Sequence, residues 1–143
     1  MKRQIQVSLA IITVSVLAIV ALSFRRDPVL AATVGAFALT GVAIYGAWAL
    51  RRGPHTPWAE ASQLVAPGRA VVFWKPGCPY CERLLKAIGD DDRVIWVNVW
   101  QDATARARVC ELNDGNEYTP TALVGPDVLR NPSAAEVLAA IGA

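Results

Sequence analysis

Histidine is almost absent from this chain and cysteine is scarce, with one His and three Cys in 143 residues. A structural zinc ion takes four His or Cys ligands as a rule. The two close cysteines, Cys78 and Cys81, have only Cys110 and His55 to add, and these stand in unrelated parts of the sequence. No metal is therefore expected within one chain. His55 lies in a short Gly- and Pro-containing stretch, GPHTP, and is read as a solvated residue with no catalytic role. No basic cluster occurs after residue 52, which argues against nucleic acid as a partner. Internal repeats and low-complexity tracts are also missing.

Charge is lacking altogether from two long runs. Residues 4–24 (QIQVSLAIITVSVLAIVALSF) and 29–50 (VLAATVGAFALTGVAIYGAWAL) carry none. Each matches the roughly 20 residues a helix needs to cross about 30 Å of hydrocarbon. Between them Arg25, Arg26, Asp27 and Pro28 make a polar turn that a bilayer core would reject. The expectation is a transmembrane hairpin over residues 1–52, with the lipid bilayer as its partner. A cleaved signal peptide is the rival reading of the first run. Against it stand the length of the apolar stretch, the lack of a small-residue cleavage site before Arg25, and the second run that follows directly.

The basic residues flank these runs. Residues 1–52 hold six Lys or Arg against one Asp, whereas 53–143 hold eight basic and eleven acidic residues. Lys2, Arg3, Arg51 and Arg52 lie outside the two runs and only Arg25 and Arg26 lie in the turn. The positive-inside bias then predicts a two-pass cell-membrane protein with both termini and the remaining domain in the cytoplasm. Tyr45, Trp48 and Trp58 suit either an interfacial aromatic belt or ordinary packing. Small residues at four-residue spacing, Ala31 with Gly35 and Ala43 with Ala47, suit close packing of two spans or of two molecules.

Residues 53–57 read as a linker, and residues 58–143 as one small domain of alternating periodicity. A short helix is predicted over 58–65, a buried strand over 70–74 (AVVFW), a helix over 80–88 and a second strand over 93–99 (RVIWVNV). A helix over 103–112, strands over 121–124 and 128–130, and a helix over 133–141 complete the order. Ser133 followed by Glu136 is a capping box for the last helix. A strand, helix and strand in succession predict a right-handed parallel crossover. The last two strands, separated by Gly125, Pro126 and Asp127, predict an antiparallel hairpin. The fold class is α/β, a mixed sheet with helices on both faces.

In WKPGCPYCERLL, residues 74–85, Cys78 falls at a helix start and Cys81 one turn later. Pro79 suits the first helical position, where its missing N–H is no loss. Unpaired amides and the helix dipole favour a thiolate at Cys78, and Lys75 adds a positive charge within reach. Cys78 is the predicted nucleophile, and Cys81 the more buried partner that attacks a mixed disulfide formed there. Competing readings are a structural disulfide, disfavoured in a reducing cytoplasm, and a metal or iron–sulfur cluster shared between two molecules. Cys110, in ARARVCELN, reads as a small hydrophobic helix residue.

These residues carry a resemblance. CPYC at 78–81, after AVVFWKPG and before ERLLKAI, resembles the active-site motif of the glutaredoxins. Thr119 and Pro120 in YTPTALVG resemble the family's Thr-Val-Pro segment, although the middle Val has no counterpart. More narrowly, WVNVWQD, GNEYTPT and VLRNPSAAEVLAAI are similar to the mycoredoxins, the actinobacterial branch. The resemblance spans about residues 69–141. It implies a thioredoxin fold with strand order 2-1-3-4, a cis Pro120, a groove lined by Tyr80, and a Thr119 backbone that pairs with the bound thiol. It further implies a thiol–disulfide oxidoreductase with no bound cofactor, taking electrons from a low-molecular-weight thiol. Glutaredoxins carry Gly-Gly and then Asp at the last helix start, which holds a glutathione carboxylate. Here the stretch reads GPDVLRNPS, which disfavours glutathione, and the likeness to the mycoredoxins implies mycothiol as the donor. The protein disulfide substrate stays unassigned. An extracytoplasmic thiol oxidase or isomerase, and a non-catalytic redox sensor or iron–sulfur module, are the alternatives.

Overall fold

The computed structural model describes residues 2–142; Met1 and Ala143, at the outer ends of the two expected regions, lie outside the described residues. The chain divides into two compact units, Met1–Leu50 and Arg51–Ala143.

The first unit is a pair of helices, α1 (Lys2–Ser23) and α2 (Pro28–Ala49), each 22 residues long. Both are long and apolar enough to cross a membrane. The turn between them ends where Asp27 caps α2, its carboxylate accepting from Leu30 N at 3.0 Å, with Pro28 at the first helical position. Thr13 and Thr33 hydroxyls donate to carbonyls one turn back, Leu9 O and Val29 O, both at 2.8 Å, so neither polar group faces outward unpaired. The helices pack tightly at Gly35, where an added Cβ would lie 2.7 Å from Val20 Cγ2. Ala31 and Gly35 are buried there, so this small-residue pair lies where one helix packs against the other within the chain.

In the second unit a short helix α3 (Trp58–Ala61) runs into a single 3-10 turn (Ser62–Leu64). There follow β1 (Ala70–Trp74), α4 (Pro79–Ile88), β2 (Val94–Asn98), α5 (Ala103–Leu112), β3 (Thr121–Val124), β4 (Asp127–Arg130) and α6 (Ala134–Gly142). The sheet order is β2-β1-β3-β4, with β1 parallel to β2 and antiparallel to β3. Every residue of β1 and β2 is buried, and alternation divides them between two cores. Ala70, Val72, Trp74, Val94 and Trp96 pack with Cys81, Leu84, Val137 and Ile141 of α4 and α6. Val71, Phe73, Ile95 and Val97 pack with Ala61, Ala105 and Val109 of α3 and α5. The Trp58 and Phe73 rings meet at 5.2 Å.

Boundaries depart from expectation for local reasons. Val124 pairs with Asp127, so the last hairpin turns on Gly125 and Pro126 alone, with Gly125 at φ +55°. Arg93 is held out of β2 by Asp91, whose carboxylate accepts from the Arg93 backbone and guanidinium. Asp102 caps α5 through Thr104 N and Ala105 N and also accepts from Trp58 N at 2.7 Å, tying the start of α3 to that of α5.

The segment expected as a free linker is fastened to the sheet, and His55 is not the solvated residue its setting suggested. It is half-buried, and its Nδ1 accepts from Asn98 N at 3.2 Å. Thr56 N donates to Trp96 O at 2.8 Å, and Arg52 O accepts from Asn98 Nδ2 at 2.6 Å and Gln101 Nε2 at 2.9 Å. Trp74 Nε1 donates to Pro54 O at 2.9 Å. The reason is that β2 is an edge strand, and its outward backbone groups need partners. Gly53 permits this path: it has φ +64°, and an added Cβ would overlap the buried Trp74 ring. Gly53→Ala should therefore cost the globular unit about 2–4 kcal/mol through left-handed strain and overpacking. Urea unfolding of the full chain in detergent, followed by tryptophan fluorescence, checks it.

Candidate active site

The site is built where β1 ends. Gly77, at φ +73°, turns the chain into α4, so that Cys78 becomes the capping residue of that helix with φ −93° and ψ 111°. Pro79 takes the first helical position and is exposed. One turn on, Cys81 points into the core and is fully buried, whereas Cys78 is 9% exposed. Both cysteines are free, and their sulfurs lie 2.7 Å apart, the Cys81 thiol donating to Cys78 Sγ. Cys81 N also donates to Cys78 Sγ, at 3.4 Å.

This geometry separates two identical side chains. The hydrogen bond from the Cys81 thiol lowers the Cys78 pKa most; burial opposes it, and the Cys81 amide, the Thr119 side chain and the Lys75 charge add to the lowering. The balance brings Cys78 from 9.0 down to about 6. Burial pushes the Cys81 thiol up, and the sulfur of Cys78 beside it pushes the same way. Cys78 is thus the member of the pair that ionises first and Cys81 the one that keeps its proton.

The Thr119–Pro120 peptide bond is cis, and Thr119 O lies 3.4 Å from Cys78 Sγ. The Thr119 hydroxyl is buried, makes no hydrogen bond of good geometry among the described residues, and is close enough to help lower both thiols. In the loop that precedes Cys78, Lys75 Nζ donates to Glu117 Oε1 at 3.1 Å, and Arg106 Nε donates to Glu117 Oε2 at 2.6 Å. Burial works against a charged Glu117, but the contacts with Lys75 and Arg106 outweigh it and hold the carboxyl below its usual range. Arg51 pairs with Glu82, the residue after Cys81.

An open groove lies beside Thr119, whose carbonyl oxygen is the one near the Cys78 sulfur. It has a volume of about 470 Å³ and is lined by Tyr80, Tyr118, Thr119, Pro120, Arg130 and Asn131. Tyr80 and Tyr118 are exposed at 54% and 61%, and the Arg83 guanidinium sits 4.8 Å over the Tyr80 ring. A neighbouring hollow of about 290 Å³ runs from Tyr80 and Arg83 to the start of α6. That helix start is already occupied from within: Glu136 Oε2 accepts from Ser133 N at 2.7 Å and from Ser133 Oγ at 2.8 Å.

Six predicted residues thus come together around one sulfur or beside it: Cys78, Cys81, Lys75, Tyr80, Thr119 and Pro120, with Pro79 setting the helix start. Cys110 does not join them. It is half-buried against the core on the α3 and α5 face, as a small helix residue would be. Sequence reasoning missed Glu117, Arg106, Arg83, Tyr118 and Asn131. Tyr118 was detectable by adjacency to Thr119; Glu117 and Arg106 were not, since Lys75 is 42 residues from its partner Glu117 and Arg106 enters only through that same carboxylate. No protein-family model matches this chain, and no curated protein matches it.

Titrating the ultraviolet thiolate absorbance of the reduced protein should give a first midpoint near pH 6, which Cys78→Ser removes and Cys81→Ala moves upward. The unfolded thiol holds its proton up to about pH 9 while the folded one loses it near 6, so the reduced protein gains stability as pH rises across that window and loses it again on acidification. Urea midpoints at pH 5 and 8 should differ in this direction, and less so in Cys78→Ser.

Proposed function

We propose that this chain is a membrane-anchored thiol–disulfide oxidoreductase of the glutaredoxin type, with a thioredoxin-fold domain, whose nucleophile is Cys78. The observation that carries the reading is the asymmetric sulfur pair at the start of α4, one thiol lowered to about 6 and the other raised by burial, beside an open groove and a cis Thr119–Pro120 bond. Perturbed groups of this kind, set in a cleft, mark reactive sites more often than structural ones.

In the proposed reaction Cys78 thiolate attacks the small-thiol sulfur of a mixed disulfide. A Cys78–thiol disulfide forms as the protein thiolate departs. A second molecule of the small thiol, as its thiolate, then attacks the adduct, restoring Cys78 and leaving as the symmetrical disulfide. For a protein disulfide the first adduct is with the protein. Cys81 gives up its proton and attacks Cys78 Sγ, releasing the second protein thiolate and leaving a Cys78–Cys81 disulfide that two small-thiol molecules reduce. Tyr80 and Tyr118 offer apolar walls for the bound thiol, and the Thr119 backbone lies beside the reacting sulfur. The self-capped start of α6 supports a donor without a carboxylate at that place, hence mycothiol ahead of glutathione.

Two helices long and apolar enough to cross a membrane support the anchor. The excess of basic residues outside those helices supports a cytoplasmic domain, where tethering would concentrate it near disulfides of membrane proteins. Cys78→Ser should lower turnover of a small-thiol mixed disulfide by at least about 1,000-fold. Cys81→Ser should keep that turnover while losing reduction of protein disulfides, and mycothiol should outperform glutathione as donor. Full turnover by Cys78→Ser overturns the reading. In intact cells, a membrane-impermeant thiol reagent should label Cys78 only after lysis; labelling without lysis reverses the topology.

A further inference from the structure

The chain places a largely buried carboxylate against Lys75, the cation whose charge favours the Cys78 thiolate, an arrangement that on its own would work against that thiolate. Glu117 lies on the loop between α5 and β3, two residues before Thr119, and its side chain is 11% exposed. It takes Lys75, 13% exposed, on one oxygen and Arg106, 54% exposed, on the other. The Lys75 charge is felt at the Cys78 sulfur. A lone Glu117 would cancel that charge as seen from a few ångströms further off, because a close ion pair has little net field at a distance. Arg106 changes the sum. With it the cluster is two cations and one anion, and a net positive charge survives beside the nucleophile. Other groups around the site include the Cys81 thiol and the Thr119 hydroxyl, Tyr80 with the Arg83 guanidinium over its ring, Arg130 in the groove wall, and Glu82 of α4 paired with Arg51.

We propose that Glu117 and Arg106 act as positioning residues, Glu117 holding the Lys75 ammonium at the nucleophile's loop and Arg106 neutralising Glu117 so that the lysine's field reaches Cys78. This rests on the reading of Cys78 as nucleophile. It also explains why a half-exposed arginine is bound by a short contact to a carboxylate that already has a partner. The same carboxylate links the β1–α4 loop to the loop that carries Thr119 and Pro120, so charge and geometry of the site are held by one group.

The test is a pattern of opposite shifts, from neutralising each charge in turn, in the thiolate titration of the full chain in detergent. Arg106→Gln uncovers the Glu117 charge and should move the Cys78 midpoint up by roughly 0.3–0.7 of a pH unit. Glu117→Gln keeps an acceptor for Lys75 but removes the negative charge, and should move it down by a similar amount. The double variant should return near the wild-type value, and all shifts should shrink in 1 M salt, where the Debye length is about 3 Å. The pH at half-maximal turnover should follow the same order. General damage to the site cannot produce shifts of opposite sign, and Arg106, on the surface, tolerates replacement. Single variants that move the midpoint the same way, or leave it in place while the wild type still titrates near 6, overturn the counter-charge. A wild-type midpoint at the ordinary thiol value, with turnover kept in Cys78→Ser, overturns the catalytic reading instead.

Discussion

β1 is hydrogen-bonded along both edges and covered on both faces, and that constraint governs what the rest of the globular unit can do. A strand buried this way must be apolar throughout, so polar chemistry can enter only past its end. The chain does so within four residues: Trp74 closes the core, Lys75 brings the first charge, and Pro76 and Gly77 turn it into Cys78. Because the next element is a helix starting at that point, the exit from the core and the free amides of a helix start coincide. The parallel β1–β2 crossover requires a helix here in any case, and the site uses its beginning.

Burial then distinguishes the two sulfurs. Cys78 and Cys81 have the same intrinsic acidity, and only their places on one helical turn tell them apart. The inner thiol, closed in by Leu84, Trp74 and the sheet, is penalised for charging and so keeps a proton to donate; the outer one receives that hydrogen bond and an amide besides. Each shift reinforces the other. The Lys75 charge is a smaller influence on the same sulfur, and Lys75 is held in an ion-pair cluster with Glu117 and Arg106. Partly buried ion pairs repay their desolvation only with good geometry, and here both carboxylate oxygens are engaged.

The other organising demand comes from the open edge of β2. Residues 51–57 satisfy it, with Thr56 and His55 meeting Trp96 and Asn98 as an added strand would, and Arg52 O capping the Asn98 side chain. The globular unit therefore begins at Arg51, several residues ahead of its first helix. Asn98, fully buried at the end of β2, is the polar hinge of this arrangement: its amide, side-chain nitrogen and side-chain oxygen each have a partner. Covering an edge with irregular chain also leaves no strand available for pairing between molecules on that side.

Elements whose identity depends on near neighbours were legible in the linear chain. Strand β1, helix α5 and strand β3 run over the expected residues, because β-branched and aromatic runs, Asp102 before ATAR, and flanking turn residues are all local signals. The two apolar helices and the capping box of α6 were legible for the same reason. So was the order of the cysteines, since a proline after Cys78 dictates which one caps the helix. What only the tertiary structure decided is which distant groups meet. His55 against Asn98, Arg51 against Glu82, and Glu117 between Lys75 and Arg106 join residues 43, 31, 42 and 11 positions apart. No periodicity encodes such pairs. They follow from sheet order, which brings the loops after β1 and before β3 to one end of the sheet, and from the need of buried donors and acceptors to find partners once that order is set.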